Sequence, residues 1–406
     1  MSEQRLTIAR MGWRGEGIAD GRDGPVFVAY TLPGEVVTAE VDGERGTLRR
    51  VETASPERVV AFCKHFGSCG GCQLQHWTDD AYRTWKRGQV RQAFAKRKLD
   101  VKIADLIDGH GEGRRRISLH VRRNGPHVTA GFMAARSHTP HDIDHCPILV
   151  SALQKAPDLA RAIGAVLGDC DVAITATDVG LDAVAKAERK IVAQELAKLA
   201  ALAERLGLAR FAVNGEVITT RVAPAVMMGK VLVQIPPGSF LQATTRGEAV
   251  LADLVMQAAG KAKSIADLFS GCGPFALRLA EKSKVQAFDS DRPAIAALQA
   301  AVRGVQGLKP VTATVRDLMR EPLVGGELKD FDTVVFDPPR AGAEAQARQL
   351  AKSKVKTVIA VSCDPTTLAR DAEILIGGGY KLETITAVDQ FKWTSHVETV
   401  AVFRKA

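Results

Sequence analysis

The sequence predicts an α/β protein: a doubly wound, mostly parallel sheet preceded by a small β module and a mixed α+β segment. Three observations lead there. From about Leu241 onward, β-rich runs alternate with helical ones. Residues 5–58 instead alternate short β-like runs with Gly and Pro punctuation. The stretch between them mixes both patterns and holds eight of the nine histidines. At roughly 150 residues per domain, 406 residues make two or three domains. The boundaries are expected at 1–58, 59–235 and 236–406.

Composition narrows the class. Apolar residues are 46% and charged residues 25%, which excludes a disordered or fibrous chain. The net charge is +9, and its placement says more than its size. Between Tyr82 and Asn124 thirteen Lys and Arg face four Asp and Glu, so this window carries the whole excess. Such a concentration suits a polyanionic partner. No apolar h-region opens the chain. Nor does any apolar run approach the ~18 residues of a membrane span. A cytoplasmic protein with no membrane partner is expected, its seven cysteines free for metal, catalysis or burial.

In the first part, strands are read at 25–30, 33–41 and 46–51, which fits an OB-like barrel of about five strands or a β-rich start to a larger domain. In the second, a helix begins near Asp79 or Asp80 and runs toward Leu99. Another covers 192–206, with strands at 211–213, 217–220 and 231–235. In the third, strands fall at 264–269, 284–288, 333–336, 357–362 and 397–403. Helices fall at 245–259, 275–281, 294–302 and 366–376.

Chemistry gathers at the strand ends of the third part. Asp267-Leu268-Phe269-Ser270-Gly271-Cys272-Gly273 follows a strand and opens a helix, so backbone can approach a ligand at Gly271 and Gly273. Asp289, after the next strand, is placed for a ribose diol. This loop alone fits an adenosyl cofactor, a dinucleotide or a tight turn. Asp337-Pro338-Pro339-Arg340 and Ser362-Cys363-Asp364-Pro365 end two further strands, where open α/β sheets bind ligands. Cys363 reads as a nucleophile whose pKa the following helix N-terminus lowers. Cys170 and Cys272 lack such a setting and read as structural.

Cys63-x5-Cys69-x2-Cys72, with Cys146 as a distant fourth, can hold zinc or an iron–sulfur cluster. His65, His76 and His145 are rival ligands. The basic window, with Arg114-Arg115-Arg116 and Arg122-Arg123, reads as a phosphate track. Trp77, Tyr82 and Trp85 are stacking faces or core.

Taken together, these segments resemble the RNA uracil-5-methyltransferases, the family that forms 5-methyluridine in ribosomal and transfer RNA. The blocks are Ser239-Phe240-Leu241-Gln242, the glycine loop, Asp337-Pro338-Pro339-Arg340, Ser362-Cys363-Asp364-Pro365 and Thr394-Ser395-His396-Val397-Glu398. Pro33-Gly34-Glu35 with Ser55-Pro56-Glu57-Arg58 resembles the RNA-binding TRAM barrel of some members. The cysteine set resembles that of a [4Fe–4S]-bearing branch, with a structural cluster.

The resemblance implies a class I, Rossmann-like methyltransferase domain using S-adenosylmethionine. Cys363 would attack uracil carbon 6, and Glu398 would remove the carbon-5 proton. Asp337 would orient the uracil at the cofactor's edge, with Arg340 beside the substrate. Gln242 and Phe269 would contact the cofactor, Asp289 its ribose, and Asp317 its adenine. The implied partner is RNA with a flipped or single-stranded uridine, 23S rRNA before tRNA. No obligate protein partner is implied, and a monomer is the default. Ala243 and Pro274 stand where family members often carry Asn. Arg340 argues against cytosine- or amino-directed relatives. A non-catalytic, metal-cluster RNA-binding protein would account for residues 1–150 but not for the ordered strand-end set.

Overall fold

A computed structural model describes residues 2–135, 137 and 139–405. Strands Ser2–Met11 (β1), Glu16–Gly21 (β2), Gly24–Ala29 (β3), Val36–Asp42 (β4) and Arg45–Thr53 (β5) close into a barrel in the order β1-β2-β3-β5-β4. Alternating residues fill it, with Leu6, Ile8, Val26, Val28, Val37 and Ala39 inside. Glu35 locks its seam. The carboxylate is buried and accepts from the Leu32 and Ser55 N–H groups at 2.8 and 3.2 Å and from Arg58 at 2.5 and 2.8 Å.

Helix Asp79–Ala95 (α1) and the short strand Ile107–Asp108 (β6) follow. The helix stops four residues short of Leu99 because Lys98 turns left-handed at φ 59°. Next come Arg116–Asn124 (β7), His127–Met133 (β8), Pro140–Asp142 (β9), helix Ala156–Leu167 (α2), Cys170–Thr177 (β10), Gly180–Lys186 (β11), helix Ala193–Arg205 (α3), Arg210–Val213 (β12) and Glu216–Thr220 (β13). They form one sheet in the order β13-β12-β11-β10-β7-β8-β9, with α2 and α3 packed in its core.

The hairpin Ala225–Met228 (β14) and Val231–Gln234 (β15) leads to the third part. There follow helix Thr245–Ala259 (α4), Ser264–Leu268 (β16), helix Ala276–Leu279 (α5), Lys284–Asp289 (β17), helix Arg292–Arg303 (α6), Val311–Val315 (β18), helix Gly325–Leu328 (α7), Thr333–Phe336 (β19), helix Glu344–Ala351 (α8), Thr357–Ser362 (β20), helix Pro365–Gly377 (α9), Tyr380–Asp389 (β21) and Glu398–Lys405 (β22). The sheet order is β18-β17-β16-β19-β20-β22-β21-β6, parallel from β18 to β20. Both faces are buried, so Val334 and Phe336 point into one core and Val335 into the other.

The segment 79–108, grouped with the central part from sequence, joins this sheet. β6 pairs with β21 at its edge, and Val90, Ala93 and Phe94 of α1 enter its core. The β14–β15 hairpin packs on its other face. No helix of the described residues is long and apolar enough to cross a membrane.

Candidate active site

The strand order reverses between β16 and β19, and ligands of open α/β sheets bind at the carboxyl ends of strands beside such a switch. A cavity of about 520 Å³ opens there. Gln242, Phe269, Gly271, Asp289, Asp317, Asp337, Arg340, Cys363 and Glu398 all line it, so residues spread over 157 positions meet at one cleft. Gly273 stands behind that wall at φ 92°, where an added Cβ would fall 2.6 Å from Leu298 Cδ1.

The glycine loop is shaped by backbone. Phe269, Gly271 and Gly273 all have positive φ, turning the chain sharply from β16 toward α5. A Cβ on Gly271 would meet nothing within 4 Å, which leaves its face open toward the cleft. The Gly271 N–H donates to Asp289 Oδ2 at 2.8 Å, tying the loop to the end of β17. Asp267 lies beneath, fully buried. Burial and the nearby Asp337 hold its carboxyl well above the usual range.

At the deep end, two carboxylates are joined through two amides. Gln242 Nε2 donates to Asp337 Oδ2 at 3.0 Å. Gln390 Nε2 donates to Gln242 Oε1 at 2.7 Å and to Glu398 Oε1 at 3.0 Å. Burial pushes both carboxyls up, and the charge of Asp337 raises Glu398 further. Glu398 Oε2 is buried with no hydrogen-bond partner among the described residues. Gln390 was not singled out from sequence.

Cys363 corrects an expectation. Its thiol is pushed up to about 12, by burial and then by Glu398 and Asp337, with Arg340 acting the other way. The helix N-terminus expected to lower it is already occupied: the Asp364 carboxylate accepts from Thr366 N–H at 2.8 Å and Thr367 N–H at 3.4 Å. The Arg340 guanidinium lies 3.2 Å from His396 Nε2 at the rim. Burial, and then the charge of Arg340, lower the His396 pKa to about 4.

The basic window is divided. Arg115 is buried and does not belong to a phosphate track. It donates to Gln242 O at 3.0 Å and to Glu248 Oε2 at 2.6 Å. Glu248 also binds Arg278, which donates to Pro274 O in the glycine loop at 2.6 Å. Arg116 lies over Phe240 and Arg114 over Phe391, both cleft-lining rings. Trp77 and Tyr82 are buried, Tyr82 donating to Asp389 at 2.6 Å.

Cys63, Cys69, Cys72 and Cys146 line one separate small pocket. Burial pushes the Cys72 thiol up to about 11 and Cys146 to about 12, while Gly71 N–H donates to Cys69 Sγ at 3.4 Å. Among the described residues, His65, Asp144 and His145 are the one trio of potential metal-ligating side chains with ligand atoms within 4.8 Å of one another. The Lys64 ammonium contacts Asp144 as well. His76 is buried apart, against Phe66 and Tyr30.

This sheet order and cleft define an S-adenosylmethionine-dependent methyltransferase fold. A solved structure with the same fold is the Pyrococcus abyssi tRNA (uracil-54, C5)-methyltransferase bound to S-adenosyl-L-homocysteine, with TM-score 0.75 and 22% identity over 98% of this chain and 100% of that one. The family model for tRNA (Uracil-5-)-methyltransferase matches residues 216–406. An uncharacterized RNA methyltransferase of Brucella suis biovar 1 (strain 1330) is 47% identical over 99% of this chain and 98% of its own length. The 23S rRNA (uracil(1939)-C(5))-methyltransferase RlmD of Halomonas elongata is 33% identical over 98% of this chain and 88% of its own. The chain belongs to the RNA uracil-5-methyltransferase family and is an S-adenosylmethionine-dependent enzyme of that class.

Proposed function

We propose that the protein methylates carbon 5 of a uridine in 23S rRNA through a covalent adduct between Cys363 and carbon 6. The observation that carries this is the meeting of Cys363, Asp337 and Glu398 at three strand ends around one cavity. Carbon 5 of uracil is a weak nucleophile. As the Cys363 thiol gives its proton to solvent and Sγ bonds to carbon 6, the ring's π electrons move onto the carbonyl as an enolate. The bound sulfonium supplies the methyl group that carbon 5 then takes. Glu398 removes the carbon-5 proton, carbon 5 and carbon 6 regain their double bond, and Sγ leaves.

Asp337 is held as an acceptor by Gln242, which suits it to the uracil imide N–H. The open face of Gly271 and the Asp289 carboxylate fit the adenosyl group and its ribose, with Asp317 farther along the wall for the adenine. Arg340, exposed at the rim, suits the phosphate backbone beside the target. The rRNA target is supported by the Halomonas elongata relative, which is named for 23S rRNA.

We read the front barrel as a TRAM-like RNA-binding module, a reading supported by the direct contact of Glu35 and Arg58, one from each quoted block. The four cysteines fit a [4Fe–4S] cluster better than zinc. Tetrahedral zinc with ~2.3 Å bonds holds its sulfurs about 3.8 Å apart. No three of these sulfurs come within 4.8 Å of one another, while all four face one pocket.

The test is nucleoside mass spectrometry of purified 23S rRNA and tRNA with and without the gene, complemented by wild type or Cys363→Ala. Loss of 5-methyluridine from 23S rRNA, restored by wild type alone, is expected. Loss from tRNA alone would overturn the substrate, and full restoration by Cys363→Ala would overturn the mechanism.

A further inference from the structure

Gln390 is fully buried where β21 ends, and its amide has only one consistent orientation. Its Oε1 accepts the Ala243 N–H at 3.0 Å. Its nitrogen therefore faces the other two partners, and both amide hydrogens are used, on Gln242 Oε1 and Glu398 Oε1. Because the Gln242 oxygen is taken, the Gln242 nitrogen is turned toward Asp337. One amide dictates the other, and each carboxylate receives an N–H donor. The second oxygen of Glu398 has no hydrogen-bond partner among the described residues.

The surroundings hold this amide still. An added Cβ on Gly247 would lie 2.7 Å from both Gln390 Cβ and Oε1, so α4 approaches as closely as glycine allows. On either side of Gln390, Lys86 binds the Asp389 carboxylate and, at 3.0 Å, the Phe391 carbonyl.

We propose that Gln390 is a positioning residue of the methylation reaction. It fixes Glu398 with one oxygen tethered and the other free to accept the carbon-5 proton, and it aims the Gln242 amide at Asp337. This rests on the reading of Glu398 as base and Asp337 as uracil-orienting group. The charged or titratable groups around Glu398 are Asp337, Arg340, Lys86 and Cys363. Removing the amide leaves burial and Asp337 unopposed by a donor that favours the carboxylate. Activity should then require higher pH, and the methylated adduct should persist, since its release needs that proton removed.

The experiment compares the full-length wild type with Gln390→Met on a 23S rRNA transcript that the wild type methylates. Single-turnover rates are followed against pH, and the covalent protein–RNA adduct is read on denaturing gels. The expected result is a rate at pH 7 lower by roughly tenfold or more, recovering as pH rises, with a larger adduct fraction. The shape of the pH profile and the ratio of adduct to methylated product do not depend on the amount of folded protein. Gln390→Asn, which keeps a shorter amide, gives the same direction if methionine prevents folding. An unchanged pH profile and adduct fraction would overturn the proposal. If the wild type forms 5-methyluridine while Glu398→Gln neither slows release nor traps adduct, the underlying assignment of the base falls, and this one with it.

Discussion

Cys363 shows how immediate surroundings outweigh a helix terminus. It sits at the start of α9, yet Asp364 occupies the free N–H groups, while burial, Glu398 and Asp337 favour the thiol. These surroundings thus keep the Cys363 thiol protonated. Iodoacetamide labelling of Cys363, followed by peptide mass spectrometry, should stay slow at pH 7–8 and climb only above the ordinary thiol range near ~8.5. Fast labelling at pH 7 would contradict this. The residue itself was legible in sequence because Ser362-Cys363-Asp364-Pro365 is a local strand-to-helix turn. The same holds for the glycine loop and Asp337. Gln390 was not legible, because its role lies in reaching Gln242 and Glu398 across the fold, and nothing in Asp389-Gln390-Phe391 announces that.

Among the elements, the parallel strands β16, β17, β19 and β20 were read from their largely apolar runs, whereas the parallel edge strand β18, with no fully buried residue, was missed. β7 was missed. Its Ile117, Leu119 and Val121 are buried, but Arg116, His120, Arg122 and Arg123 between and around them hid the two-residue period. The barrel was read from its turns, and its seam offers a test. Burial alone would raise the Glu35 carboxyl. Hydrogen bonds from Arg58, Leu32 and Ser55 outweigh this and lower it below its ordinary 4.5. A lowered folded-state pKa gives stability that is complete above the unfolded value and lost as pH falls through the folded one. Glu35→Gln should therefore destabilise the barrel by about 3 kcal/mol at pH 7. The gap from wild type should narrow as pH drops below 4.5. Urea midpoints of the two proteins across pH 3–7 check this, and a constant gap would count against it.

Across the whole molecule, charge that looked like surface proves to be connective. Arg115 of the central part reaches the glycine loop through Glu248 and Arg278, so the central and methyltransferase parts share one buried ion network. The cysteine loop is similarly joined to the catalytic side. Gln73 and Leu74, directly after Cys72, both donate to the carbonyl of Trp393, itself left-handed at φ 61°. Anaerobically purified protein should contain about four iron and four acid-labile sulfide per chain. Cys146→Ser should lose both and melt at a lower temperature. Zinc without sulfide would assign the site differently.

The early strand β6 and helix α1 have a practical consequence for anyone dividing this enzyme. A chain cut before residue 236 would leave β21 as a bare edge, ready to pair with a neighbouring copy. It would also strand the Asp389 carboxylate in the interior without its Lys86 counter-charge. The methyltransferase half is thus not a transplantable module. Its smallest self-sufficient version has to borrow some thirty residues from the far side of the central sheet.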